Sequence, residues 1–571
     1  MPLDVAASRG RTAWMLVGSA WLGGLAAIVV WLSITSPARL REQLTVLQPW
    51  WLDGTVLAAV LICVCAAPRT NWNSVRRHAA VVLPLAALAL CLTLLVAPRT
   101  NRIFYDEQIY QSIGQNISDV RRAQVCNDGT VDSGRLHCVD GAYNKQPYAY
   151  PHLLSLAYRI AGVHEWAAFA VNAIAMALST IGVYVLAWLL FGDRAAAFFA
   201  GLVFALIPQQ IVWSATAAVE PTAALGAILA VLAAAWYAAD GALLALAAFV
   251  VASAYAIQFR PESLLVLPVA AAVAWPRLRG DLQRPRGWWG AVVFLAFIAV
   301  HLAHLFAVRD VSWGSAGPRF SLAFVSSNLR ANGRFFLGDA RFPVAFTALA
   351  LIGLASGASF SRMASRNRRA SWIMAAWFLL FFGIDLVFYA GSFDYGADVR
   401  YSLMTYAPLA VLGGAGASAI VRYAGRQFAW TAAAPVLAAV LLFQFLWYAP
   451  SIRAVNDSAW AARADVAFAK DFAARLPVNA YVLTQDPGMF QLWGVSAGQM
   501  SRAVMSPNYT SWLLAQHPEG VYVHWNFWCN VQEATQPDLC RRALALKPST
   551  LVAERREKDQ RFAFYRLSIP P

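Results

Sequence analysis

The sequence predicts a polytopic α-helical membrane protein with a small extracytoplasmic α/β domain behind its last span. Three observations carry that prediction. Of 571 residues, 59% are hydrophobic and 13% charged, where a soluble domain carries about a quarter. Apolar runs recur at about the length that crosses a hydrocarbon core of ~30 Å. Beyond residue 448 the runs stop, and short β-rich stretches take over.

The first run, Trp14 to Ile34, is too long for a secretory h-region and lacks a small-residue cleavage site, so it reads as a retained span. Spans follow near 50–67, 79–97, 165–191, 195–213, 220–238, 241–258, 262–276, 288–307, 343–359, 371–390, 401–420 and 429–448. The total is about thirteen. With the N-terminus inside, the inner loops hold Arg69, Arg76, Arg77, Arg194, Arg277, Arg279, Arg284, Arg286, Arg362, Arg366, Arg368, Arg369, Arg422 and Arg426, with few acids. That bias sets orientation in a plasma (inner) membrane. It accounts for most of the net charge of +15 and argues against a nucleic-acid partner.

This topology divides the chain into a membrane body, 1–448, with an outer loop at 98–164, and a soluble outer domain, 449–571. Cys63, Cys65 and Cys91 fall in spans. Cys126 and Cys138 fall in the outer loop, and Cys529 and Cys540 in the outer domain. Two local pairs on the oxidising side predict two disulfides. Neither pair has close metal-ligand spacing, which disfavours zinc. In the outer domain, residues 457–475 follow a helical pattern. Tyr481–Thr484, Val521–Trp525, Thr550–Ala553 and Phe562–Leu567 read as strands.

The outer loop opens on Asp106-Glu107-Gln108-Ile109-Tyr110. Ile109, Ile113 and Ile117 then recur every four residues among Gln108, Gln111, Gln115 and Asn116. This predicts an amphipathic helix lying flat in the headgroup layer, with Asp106 and Tyr110 on one face. Two carboxylates at the lipid boundary suit one chemistry. Transfer of a sugar from a polyprenyl phosphate needs a base for the acceptor hydroxyl and cations for the departing phosphate.

Asp106-Glu107-Gln108-Ile109-Tyr110 resembles the Asp-Glu-x-x-Tyr segment of GT-C glycosyltransferases, especially protein O-mannosyltransferases and the aminoarabinose transferases that modify lipid A. Tyr143-Asn144-Lys145-Gln146-Pro147-Tyr148 resembles their Lys-Pro loop. Phe191-Gly192-Asp193-Arg194, with Trp213-Ser214-Ala215-Thr216 to Glu220, resembles their Phe-Gly-x-Arg turn and later acidic position. Phe259-Arg260-Pro261-Glu262 resembles an Arg-x-Glu segment of bacterial members. The resemblance is good over about 80–270 and thins afterwards. It implies a GT-C fold of thirteen or so spans, with the N-terminus inside and the last domain outside. The chain departs from the pattern at Asn144, where the family often has an acid, and at Glu220, where it often has Asp.

Asp106 is the candidate general base, and Glu107 its catalytic neighbour that supports or orients the acceptor; which of the two is the base stays open. Lys145, Arg260 and Arg400 are the candidate donor-phosphate ligands. Arg400-Tyr401 closes the loop Asp394-Tyr395-Gly396-Ala397-Asp398-Val399 and resembles the Arg-Tyr start of a late family helix. Tyr110, Glu220, Glu262 and Tyr401 are supporting residues. Loop 308–342 holds Arg309, Arg319, Arg330, Arg334 and Arg341 against Asp310 and Asp339, which points to an anionic lipid. His301 and His304, three apart in a span, read as helix histidines rather than a metal pair. With no Asp-x-Asp pair in the outer loop, the Mn-dependent branch is disfavoured. No Walker loop is present either, so ATP is not expected as the energy source; no cofactor is required, and a divalent metal is left open but disfavoured.

The reading is an inverting transfer of one sugar from a polyprenyl-phosphate donor to an envelope glycolipid, polysaccharide or protein on the outer face. The alternative from another class is a transporter or lipid flippase. Such proteins keep their polar sites at the midplane of repeated halves. Here the halves are missing and the carboxylates sit at the interface.

Overall fold

The computed structural model describes residues 2–311, 317–359, 364–394, 397–428, 431–454, 459–531 and 535–569. Arg362, the pair Tyr395-Gly396 and the side chain of Arg366 lie outside the described residues.

Helices stand at every predicted span. They begin with α1 (Pro2–Ile34), α2 (Pro37–Ala66) and α3 (Trp72–Cys91), the last continued by a π-turn to Val96. The outer loop supplies α4 (Asp106–Val120), the hairpin β1 (Val125–Asp132) and β2 (Arg135–Ala142), and α5 (Ala149–Ala161). The bundle resumes with α6 (Glu165–Phe191), α7 (Arg194–Ala205), α8 (Pro208–Ser214), α9 (Glu220–Asp240), α10 (Leu243–Ala256), α11 (Val266–Asp281) and α12 (Pro285–Ala307). After α13 (Val325–Gly338) it closes with α14 (Val344–Ser359), α15 (Ala364–Val387), α16 (Leu403–Phe428) and α17 (Ala433–Arg453). Among the described residues nine helices are long and apolar enough to cross a membrane, and α7 with α8, bent by 58° at Pro208, makes a tenth. Proline at the first position of α8 cannot continue the helix before it.

Local chemistry sets the helix ends. Asp193 accepts from the Ala195 backbone N–H and starts α7, while Gly192, at φ +67°, ends α6 in the left-handed conformation. Arg422 of α16 reaches back to the same Asp193. The Phe-Gly-Asp-Arg turn is therefore a brace at the end of the bundle opposite Asp106. Packing between α14 and α16 depends on small residues. A Cβ on Gly353 would collide with the Leu412 carbonyl, and one on Gly416 with that of Leu349. Close helix approach of this kind replaces the hydrophobic drive that lipid removes.

Two expectations about the outer segments need correction. Helix α2 starts at Pro37 rather than near residue 50; its first turns are polar and carry Arg39, Arg41 and Glu42, and Trp50-Trp51 mark where the apolar stretch starts. Helix α4 is amphipathic in sequence, but its polar face is not open to water. Gln108, Gln111, Gln115 and Asn116 are all buried. The outer domain covers that face: Gln115 donates to the Gln491 carbonyl at 3.4 Å, and Gly488 packs on Ser112.

The outer domain adds α18 (Trp460–Ala473), β3 (Tyr481–Thr484), α19 (Pro487–Leu492), β4 (Ser496–Gln499), α20 (Met500–Met505), α21 (Pro507–Gln516), β5 (Val521–Trp525), α22 (Thr535–Leu544), β6 (Ser549–Glu557) and β7 (Gln560–Leu567). One sheet runs in the order β2-β1-β4-β3-β5-β7-β6. Strand β1 pairs with β4 through Asp128 opposite Gly498, so the outer loop and the last domain share a sheet. Asp128 then accepts from the Tyr509 hydroxyl at 2.5 Å and also from that of Tyr481. Both predicted disulfides form. Cys126–Cys138 ties the hairpin, and Cys529–Cys540 ties α22 to the turn after β5, with Cα separations of 5.6 and 5.8 Å.

Candidate active site

At the end of the bundle beneath the sheet, four segments converge: the start of α4, the start of α9, the Arg260–Glu262 turn and the entry to α16. Glu220 is the hub. Its carboxylate is paired by the Arg260 guanidinium and lies 2.9 Å from Arg400 Nε. Arg260 also holds Glu262. Arg400 extends toward Asp398, at 3.8 Å, and Asp106, at 3.9 Å. Both guanidiniums lie on the Tyr401 ring, 4.9 and 4.8 Å from its centroid. Each contact fixes a cation, and together they set two arginines side by side with little freedom.

Exposure separates the carboxylates. The Glu220 side chain is 3% exposed and that of Asp106 44%. Glu220 and Glu262 are engaged closely by arginine, while Asp398 and Asp106 each have one long contact to Arg400, and Asp106 stands at the open edge. Burial pushes the Asp106 carboxyl above the usual aspartate range, and Arg400 pulls it back. Lys145 is close enough for its charge to act on Asp106. Burial lowers the Lys145 ammonium, and Asp106 opposes that. Its loop is held by Tyr148, whose hydroxyl takes the Asn144 N–H at 2.8 Å, and by Tyr143, which bonds His304 Nδ1 at 2.8 Å. Tyr110 is buried edge-on against Tyr150, one turn below Asp106.

Glu107 has a different place from its neighbour. It is fully buried. One oxygen accepts from the backbone N–H groups of Arg102 and Ile103, at 2.6 and 2.8 Å, and the other from Ala217 at 2.8 Å. Burial pushes this carboxyl up to about 7, against those three bonds. The side chain staples the outer loop to the segment that leads into Glu220. A Glu107→Gln substitution turns its amide toward the Ala217 N–H, donor against donor. We expect a loss of about 1–3 kcal/mol, read as a lower unfolding temperature of the purified protein in detergent.

Every predicted site residue except the disulfide cysteines thus gathers at one end of the bundle. Sequence reasoning passed over Asp398. It grouped Arg319 with the other arginines of loop 308–342 as a mark of an anionic lipid, and did not place it near Lys145, on whose ammonium it acts. An acid two residues before Arg400 was the available signal. His304 bonds Tyr143, and among the described residues no three His, Cys, Asp or Glu side chains are placed so that they could hold a metal ion together.

Residues 145–304 match the family model described as dolichyl-phosphate-mannose-protein mannosyltransferase, a stretch that takes in Lys145, Glu220, Arg260 and Glu262. No curated protein matches the chain. Among solved structures, ArnT from Cupriavidus metallidurans bound to undecaprenyl phosphate is similar in fold, with a TM-score of 0.53 and 15% identity over 86% of this chain and 98% of that one. Its apo state gives 0.52 and 14%, over 85% and 97%. The oligosaccharyltransferase AglB from Archaeoglobus fulgidus is more distant, at 0.46 and 14%, over 80% and 70%. The family model thus matches the centre of the chain, and the likeness to the two ArnT structures shows that the chain shares their fold over most of its length.

Proposed function

We propose that the protein moves a single sugar from a polyprenyl-phosphate donor to an envelope acceptor on the extracytoplasmic face, with inversion. The carrying observation is the pairing of Arg260 and Arg400 on Glu220 and Tyr401, next to the open carboxylate of Asp106. The arginines, with Lys145 beside them, suit the donor phosphate. Asp106 removes the acceptor proton as the acceptor oxygen bonds to the anomeric carbon. The bond from that carbon to the phosphate oxygen breaks, its electron pair leaves with the phosphate, and the guanidiniums carry the charge.

Glu107 acts as the brace that holds Asp106 against the Glu220 segment. A double displacement needs a second free carboxylate near the sugar; Glu220 and Glu262 are taken up by arginine, which leaves Asp398 as the group a retaining route would have to use, and the single positioned base at Asp106 supports inversion. The arginine-rich loops at the far end of the bundle support an orientation with this site outside. The undecaprenyl phosphate on the ArnT of similar fold supports the donor class.

The test reconstitutes the full chain in liposomes with polyprenyl-phosphate sugars and an envelope extract. Release of polyprenyl phosphate, with sugar appearing in the acceptor fraction, is the expected result. Movement of intact lipid-linked sugar between leaflets without cleavage would overturn the proposal and favour a flippase.

A further inference from the structure

A groove opens beside Tyr105, the residue before Asp106. One cavity, about 280 Å³, is lined by Tyr105, Asn127, Asn144, Asp486, Gln499 and Trp528 among others. A second, about 300 Å³, shares Gln485, Gln499 and Trp528 with it and continues past Ser501 to Gln536. Together they form one trough between the β1–β2 hairpin, the start of α4 and the outer domain, within the size range of ligand pockets.

The lining has a distinct chemistry. Apolar and aromatic side chains share the walls with amides, which are most of the polar groups, and among the described lining residues there is no Lys or Arg. The amides orient one another: Gln485 donates to Gln536 at 2.7 Å, and Gln499 to Asn127 at 3.2 Å. Gln485 Oε1 and Asp486 Oδ2 are buried without a hydrogen-bond partner. Trp528 and Tyr105 stack at 5.1 Å and give the trough an aromatic wall. Fixed amides offer both donors and acceptors, and an aromatic face suits the C–H face of a pyranose or furanose ring. A phosphate or carboxylate would find no cation here.

Position adds a second argument. Tyr105 precedes Asp106, and Asn144 precedes Lys145. Both trough walls are thus one residue, ~3.8 Å of backbone, from the residues proposed to carry the reaction. Asp106 itself lines neither cavity; the trough comes up to it at its neighbour Tyr105.

We propose that this trough is the acceptor subsite and that it takes an uncharged saccharide, one of whose hydroxyls is delivered to Asp106. The inference rests on the transferase reading above and narrows its acceptor to a glycan or the sugar part of a glycolipid. Asp486 lines the trough with its Oδ2 buried and without a partner, which leaves that oxygen open to a sugar hydroxyl.

The test uses the full chain in nanodiscs against arrayed neutral gluco-, manno-, galacto- and arabino-oligosaccharides, and against Ser/Thr-containing peptides. We expect at least one oligosaccharide series to bind. Trp528→Ala and Gln485→Ala/Gln499→Ala should each weaken that binding about tenfold with unchanged elution and unfolding temperature. In transfer, the same variants should raise the acceptor KM more than they lower kcat. Binding of the peptides alone, of neither set, or of saccharides equally well to both folded variants would overturn the proposal. The unsubstituted protein's array pattern stands even if a variant misfolds. Saccharide binding without any cleavage of polyprenyl-phosphate sugar would instead fault the transferase reading and leave the trough as a saccharide site.

Discussion

Replacing Asp106 by Asn should cut sugar transfer by about 10²–10⁴-fold, the usual worth of a positioned general base, with normal expression and folding. Shape is kept, so any loss belongs to the proton. The side chain is 44% exposed and its ion contact with Arg400 is 3.9 Å long; an open pair of that kind contributes only about 0–1 kcal/mol to stability. The pH profile gives a second readout. A base works ionised, so kcat/KM should be flat above the Asp106 pKa and fall as the pH drops through it. Burial raises that carboxyl, so the acid limb should lie above the ordinary aspartate range and vanish in the residual activity of Asp106→Asn. Transfer at the parental rate by the folded variant would remove Asp106 from the chemistry.

The membrane body was legible because lipid imposes a one-dimensional rule: an apolar run of sufficient length becomes a helix. Four of the five strands of the outer domain were legible from β-branched and aromatic runs; β4, whose residues are Ser-Ala-Gly-Gln, carries no such signal. What escaped was pairing across long sequence gaps. Strand β1 meets β4 more than three hundred residues later, and nothing local to Asn127-Asp128-Gly129 announces that partner. The same gap hid the burial of α4. Its glutamines read as solvent-facing until α19 is known to lie over them. In the site, Arg260 and Glu262 were visible as a close pair, two residues apart. Their convergence with Arg400 on Glu220 was not, since those contacts span 40 and 180 residues. Motif resemblance supplied the members, and only the fold supplied the hub. Glu107 shows the limit of motifs from the other side. Adjacent carboxylates look equivalent in sequence, yet one faces the open site and the other is consumed by three backbone N–H groups.

Arg400→Ala should weaken donor use by about 10²–10³-fold, the scale of losing one preorganised donor to a developing anion, and should also weaken binding of polyprenyl phosphate itself. The two effects arise from one geometry. Arg400 is held by Glu220 and by the Tyr401 ring, so its charge stands ready before the phosphate arrives and needs little reorganisation as the leaving group forms. Glu220 keeps Arg260 in the variant, which spares it the full penalty of an unpaired buried carboxylate. Arg400→Lys separates charge from shape. Lysine keeps the positive charge but loses the planar fork that can lie on Tyr401 while meeting Glu220, so it should recover phosphate binding better than it recovers kcat. Equilibrium binding of radiolabelled polyprenyl phosphate, set beside single-turnover transfer, distinguishes the two. If Arg400→Ala binds the lipid phosphate as tightly as the parent, the arginine pair serves the fold alone, and the phosphate must be held by Lys145 and its neighbours.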